Sequence, residues 1–138
     1  MERKCTNQPF LLLMHTSKAI QEKIRDGISK RQLNITEFSV LEVLFHKGRQ
    51  TIQQIGSRIL VSSSSMTYVI DKLEQRGLLR RSPCPDDRRV IHVTLTPEGT
   101  ELMDEIMPKH HEMVDSMFDS LSAEEAEDFI QLLKKVKI

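Results

Sequence analysis

The densest chemistry in this chain lies in two short stretches, Val61-Ser-Ser-Ser-Ser-Met-Thr-Tyr68 and Pro83-Cys-Pro-Asp-Asp-Arg-Arg89. The first gathers small hydroxyl donors, Ser62, Ser63, Ser64, Ser65 and Thr67, and ends on Tyr68. A serine run makes a poor helix interior, because the side chains compete for backbone hydrogen bonds. At a helix start it fits: Ser62 is the natural N-cap, and small donors beside the positive end of the helix dipole suit close approach to phosphate. In the second stretch Pro83 and Pro85 cannot donate to a strand ladder and mark a loop. Asp87, Arg88 and Arg89 follow at its return. An arginine on such a tip can enter a narrow minor groove, where the potential is most negative. A carboxylate two residues away can hold its guanidinium by a charge-assisted bond.

Those residues need a scaffold, and the neighbouring sequence supplies one. Thr51-Ile-Gln-Gln-Ile-Gly-Ser-Arg58 signals a short helix. In the next helix Met66, Val69, Ile70 and Leu73 recur at three- and four-residue spacing, one apolar stripe that must pack on Ile52, Ile55 and Ile59. Steps of about 100° per residue put Ser64, Tyr68, Asp71 and Gln75 on the opposite side, with Ser65 and Thr67 on its flanks. Two β-like runs follow, Leu78–Ser82 and Arg89–Leu95, joined by the charged tip. Helix, turn, helix and hairpin in that order describe a winged helix-turn-helix, which lays its second helix in the DNA major groove.

The flanks are helical and amphipathic. Phe10, Leu13, Ser17, Ile20, Ile24 and Ile28 mark a first helix, and the run Phe10–Met14 reads as its core-facing start, because no small-residue cleavage site follows it as in a signal peptide. Thr96-Pro97 caps a long helix carrying Leu102, Met103, Ile106, Met107, His110, Met113, Val114, Met117 and Phe118, with Pro108 as a bend point. Its methionines suit an adaptable core. Ser122-Ala-Glu-Glu125 is a capping box for a last helix with Phe129, Leu132, Leu133 and Val136 on one face. Three such helices outside the reading module need a partner surface, and two-fold dimerisation is the commonest solution. The expected architecture is therefore mainly α with a small β wing. It forms one domain over 1–138, with a DNA-reading region at 34–96 and dimerisation helices at 8–30 and 100–138.

Charge distribution agrees with this reading although the net charge is zero, from 20 Lys+Arg and 20 Asp+Glu. Residues 1–96 hold 16 basic against 9 acidic side chains, and residues 97–138 hold 4 against 11. A local positive field is what DNA binding needs, and Lys47, Arg49, Arg58, Arg80, Arg81, Arg88 and Arg89 are placed to supply it. No run reaches the roughly 18 apolar residues of a membrane span, which points to a cytoplasmic protein without a membrane partner. Cys5 and Cys84 have no metal spacing. His15, His46, His92, His110 and His111 are scattered, and adjacent His110 and His111 diverge by about 100° on a helix. No metal or cofactor is expected. Gly-rich phosphate loops, nucleophile elbows and paired catalytic carboxylates are missing from the sequence, so an enzyme is not expected either.

As an ordered set, these motifs resemble the MarR-type (multiple antibiotic resistance regulator) transcription factors. The matching pieces are Leu33-Asn-Ile-Thr-Glu-Phe-Ser-Val-Leu41, the serine-rich helix with Tyr68-Val-Ile-Asp-Lys-Leu-Glu-Gln-Arg-Gly-Leu78, Asp87-Arg-Arg89 and Val93-Thr-Leu-Thr-Pro-Glu-Gly99. The resemblance implies a homodimer on a pseudo-palindromic operator, with Ser63, Ser64, Ser65 and Thr67 as groove contacts and Arg89, positioned by Asp87, as a minor-groove finger. Within the family the wording is most similar to members that respond to hydroquinones and catechols. That implies a repressor released by a small phenolic, quinone or other electrophilic effector. His15, Phe38, Phe45 and Met107 then become candidate pocket residues, apolar walls with one polar handle.

Thiol sensing is an alternative. Cys84 lies between prolines near Arg81, Arg88 and Arg89, which favour a thiolate, and Cys5 lies beside Arg3 and Lys4. Zinc sensing is a further alternative carried by the family. A winged helix used only as a protein-interaction scaffold is the rival from another class. Arg89 and the donor-rich helix start argue against it, because a docking face would expose aromatic or aliphatic anchors.

Overall fold

The computed structural model describes residues 6–59 and 63–138, with the backbone alone for residues 63–65. Cys5 and Ser62 lie outside the described residues. The chain forms two compact units, one ending at Asp104 and one running from Glu105 to Ile138.

The first unit opens with α1 (Gln8–Ile28), started by the Asn7 side chain, which accepts from the Phe10 N–H at 2.9 Å. A single 3₁₀ turn at Ser29–Arg31 ends on Gln32, whose φ of 58° is left-handed, and α2 (Ile35–Lys47) begins in a capping box. There Asn34 accepts from the Glu37 N–H, and the buried Glu37 carboxylate accepts from the Asn34 N–H in return. Both orphan donors are satisfied, so a carboxylate can be buried here. A two-residue strand, β1 (Gln50–Thr51), leads directly into α3 (Ile52–Arg58), which Thr51 and Gln54 cap in the same reciprocal way. Next come α4 (Ser63–Gln75), β2 (Leu79–Pro83), β3 (Ile91–Leu95) and the start of α5 (Pro97–Phe118). Phe38, Val40 and Leu41 of α2, Ile55 of α3, Met66, Ile70 and Leu73 of α4, Leu79, Val93 and Met103 are buried as one core.

The sheet is antiparallel with order β1-β3-β2. Sequence periodicity had no means of finding β1, and it started the returning strand two residues early: Arg89 and Val90 belong to the tip. Pro83, expected in the loop, is the last residue of β2 opposite Ile91. The register explains why it is tolerated. The Cys84 N–H donates to the Val90 carbonyl at 2.9 Å, so Pro83 falls on the alternate position whose nitrogen faces the outer edge. An edge strand accepts proline there.

The second unit holds the rest of α5 and α6 (Ala123–Lys135), whose capping box Ser122/Glu125 forms as its sequence predicts. Helix α5 runs through Pro108, which lacks the N–H that would reach the Asp104 carbonyl. The Phe118 and Phe129 rings meet at a tilt of 50° with centroids 6.3 Å apart, yet no residue of α6 is buried. The start of α1 likewise differs from its expected core-facing role. Phe10, Leu12, Leu13 and Met14 are all exposed, and of the helix only Ile28 is buried. Helix α1 packs on α2, but its apolar start has no cover within its own unit. Among the described residues no helix is long and apolar enough to cross a membrane.

Candidate nucleic-acid interface

Helix α4 behaves as its periodicity requires. Met66, Val69, Ile70 and Leu73 are buried, and Ile55 and Ile59 of the preceding segment are buried with them. Burial of that stripe turns the other face outward. Thr67 and Tyr68 are exposed, Tyr68 to 64%. The Lys72 ammonium sits 5.3 Å from the Tyr68 ring centroid, a cation–π arrangement. Ser63, Ser64 and Ser65 form the first turn of the helix backbone, and Ser62 precedes the described part.

At the wing tip Asp87 and Arg89 meet as their spacing suggests. The Asp87 carboxylate accepts from the Arg89 backbone N–H at 3.0 Å and from its Nε at 3.2 Å. These bonds to the charged form hold the Asp87 carboxyl below its ordinary range, the backbone donor first and the guanidinium second. The Arg89 side chain itself is 91% exposed, tethered at its base and open at its head. Arg88 is also exposed. A cleft of about 750 Å³ lies beside this tip, lined by Thr51, Ile52, Gly56, Met66, Arg89 and Ile91 among others. It places the start of α3, α4 and the arginine finger around one concavity.

Arg81, expected in the phosphate-facing field, is engaged elsewhere. Its guanidinium lies 2.7 Å from Asp71 and 2.8 Å from Glu74, both on α4. Its backbone N–H also donates to Glu74 at 2.9 Å. The cause is register. Arg80 and Arg81 are adjacent and so point to opposite faces, and the Arg81 face is that of buried Val93, toward α4. Arg76 makes a second unforeseen tie, donating from its guanidinium to the carbonyls of Gln32 at 2.8 Å and Arg31 at 3.0 Å. It secures the end of α4 to the turn after α1. The clue in the sequence was the Asp71/Glu74 pair, one helical turn apart and opposite a basic strand; which arginine would take it was not legible.

Accepting these donors keeps the Glu74 carboxyl below its ordinary value of 4.5, with the Arg81 backbone bond as the largest cause. Depressed folded-state values mean that the stabilisation is present at neutral pH and is lost as pH falls through them. Both wing ties are therefore expected to persist at neutral pH and to fail only below 4.5 for Glu74 and below 3.8 for Asp87. In an NMR pH titration the Arg81 and Arg89 amide resonances should move only in that acid range. A transition of either amide near pH 6 would contradict the assignment.

The remaining sequence candidates differ in exposure. His15 is exposed, Phe38 is buried in the core of its own unit, Phe45 is half-buried against His46, and Met107 is buried. Cys84 is a half-buried free thiol. Among the described residues no three His, Cys, Asp or Glu side chains are grouped to hold a metal. His92 has a buried Nδ1 without a hydrogen-bond partner there.

A donor-bearing helix fixed beside a hairpin with an arginine at its tip defines a winged helix-turn-helix DNA-binding protein. The family model for the MarR family matches residues 33–91. The HTH-type transcriptional regulator MhqR of Bacillus subtilis (strain 168) is 46% identical over 127 residues, 92% of this chain and 88% of that one. The chain belongs to the MarR family, and as such it is a DNA-binding transcriptional regulator and not an enzyme. Among solved structures, Bordetella bronchiseptica BpsR superposes with a TM-score of 0.82 at 27% identity, over 98% of this chain and 96% of that one. The subject of that structure is regulation of BpsR DNA binding by 6-hydroxynicotinic acid. S. aureus MepR in its DNA-binding conformation shares the fold, with a TM-score of 0.85 at 21% identity over 93% and 95% of the two chains.

Proposed function

We propose that this protein is a cytoplasmic homodimeric repressor that binds a pseudo-palindromic operator and leaves it when a small aromatic, phenolic or electrophilic effector arrives. Residues 34–96 read DNA, while the helices of 8–30 and 100–138 join the two copies. Ser62 to Ser65, Thr67 and Tyr68 meet the major groove, and Arg89, steadied by Asp87 and flanked by Arg88, enters the minor groove. The observation that carries the DNA reading is the Arg89 guanidinium, 91% exposed yet anchored to Asp87 at its base. Support for an effector comes from the similarity to BpsR, a regulator that responds to a hydroxylated aromatic acid.

On a duplex selected by the wild-type protein from a random pool, affinity should fall steeply with salt as counterions are released. Arg89→Ala should weaken it by about 1–3 kcal/mol. Unchanged affinity in that variant would remove the wing from the reading. A gel shift with a hydroquinone and its oxidised quinone then tests release. If Cys5→Ser/Cys84→Ser protein still lets go with both, reversible binding stands; loss of the quinone response alone assigns sensing to a thiol.

A further inference from the structure

Two carboxylates on a DNA-reading helix are out of place, since each repels the phosphates that the helix must approach. In α4 these are Asp71 and Glu74, and Arg81 gathers both. The bond to Glu74 is more than an ion pair. One carboxylate accepts the Arg81 Nε at 3.1 Å, its terminal nitrogen at 2.8 Å and its backbone N–H at 2.9 Å. In the β2–β3 register the even-numbered residues of β2 face β3, so the Arg81 N–H lies on the free outer edge of the sheet. Glu74 thus fastens the main chain of the wing strand to α4, at the one donor on Arg81 that the ladder leaves unpaired. A guanidinium fork held in this way has its donors committed and its geometry set.

We propose that Arg81, with Glu74, is a positioning pair for DNA binding. It sets the angle between recognition helix and wing so that Arg89 reaches the minor groove while α4 occupies the major groove, and it screens the two carboxylates. It is not a phosphate contact. The proposal rests on the reading that helix and wing engage DNA together.

The decisive variant is Glu74→Gln, because the alternatives predict opposite signs. It removes a negative charge and loosens the Arg81 guanidinium, which then keeps only its bond to Asp71 at 2.7 Å. If Arg81 were simply part of the basic field, affinity for the selected duplex would hold or rise. If the pair positions the wing, affinity should fall about ten-fold, within the range of coupling between contacting residues. Binding to a scrambled duplex should hold or rise, because charge alone governs it.

In the Arg81→Met background Glu74→Gln should cause no further loss, and Glu74→Arg with Arg81→Glu should recover part of the operator affinity. Thermal melts establish that each variant is folded at the assay temperature, and Glu74→Gln carries the test alone if Arg81→Met is not. Unchanged or tighter operator binding by Glu74→Gln overturns the proposal, as do independent, multiplying losses in the double variant. Arg89→Ala, run alongside, separates the two ideas: if it too leaves affinity unchanged, the underlying reading of the wing has failed.

Discussion

Gly99→Ala is expected to lower the melting temperature by about 10 °C, from roughly 3 kcal/mol of overpacking in a chain of this size. A Cβ built on Gly99 would stand 1.9 Å from the Leu78 carbonyl oxygen and 2.9 Å from its carbonyl carbon. Both are main-chain atoms, so no side chain can swing away. The carbonyl is also in use, accepting from the Thr96 N–H at 3.1 Å. Thr96 completes the joint: its hydroxyl accepts from the Gly99 N–H and donates to the Gly77 carbonyl. Gly77, at φ 73°, is the left-handed residue that lets the chain leave α4 for the wing. Helix α5 therefore starts on the exit of the recognition helix, and moving one moves the other. Gly27→Ala is the control. Its Cβ would meet nothing within 4 Å, and an exposed helical glycine replaced by alanine should gain about 0.5–1 kcal/mol. Melts by circular dichroism at one protein concentration compare the two. A Gly99→Ala transition within about 2 °C of wild type would show that the joint yields.

What sequence revealed and what it hid divide along a physical line. The α4 stripe, the Ser122 capping box and the Asp87–Arg89 pair depend on residues a few positions apart, and short-range geometry is written in spacing. The hidden features depend on register or on distant partners. Arg80 and Arg81 are indistinguishable on paper, yet one faces outward and the other is spent on Glu74. Arg76 finds its acceptors 44 and 45 residues away. Strand β1 is two residues long, too short for any period to register. Pro83 misled because proline forbids a ladder donor, and at that register position no ladder donor is needed. The apolar start of α1 and the apolar face of α6 show a further limit: a stripe announces that a face is to be covered, and not by which chain.

Leu132→Asp should convert the proposed dimer into a monomer and reduce operator affinity by roughly 100-fold or more. Helix α6 has no buried residue, and Phe129, Ile130, Leu132, Leu133 and Val136 are all exposed, Leu132 to 61%. Phe10, Leu12, Leu13 and Met14 on α1 stand equally open. Each such side chain gains about 1.5–3 kcal/mol when fully covered, so several together can drive association. A second copy is the partner that also explains a DNA reader, since a two-fold dimer presents paired reading heads to paired half-sites. An aspartate in that seam would be buried without a partner, a cost of several kcal/mol. Because Leu132 is exposed in the single chain, the substitution spares the described core of the reading unit, and the monomer should keep its helical signal. Without the partner the second half-site is no longer bound intramolecularly, and the avidity it contributed disappears. Sedimentation velocity at micromolar concentration, followed by anisotropy on the selected duplex, checks both consequences. A wild-type monomer in the first measurement, or a Leu132→Asp dimer with full operator affinity in the second, would move the interface away from α6.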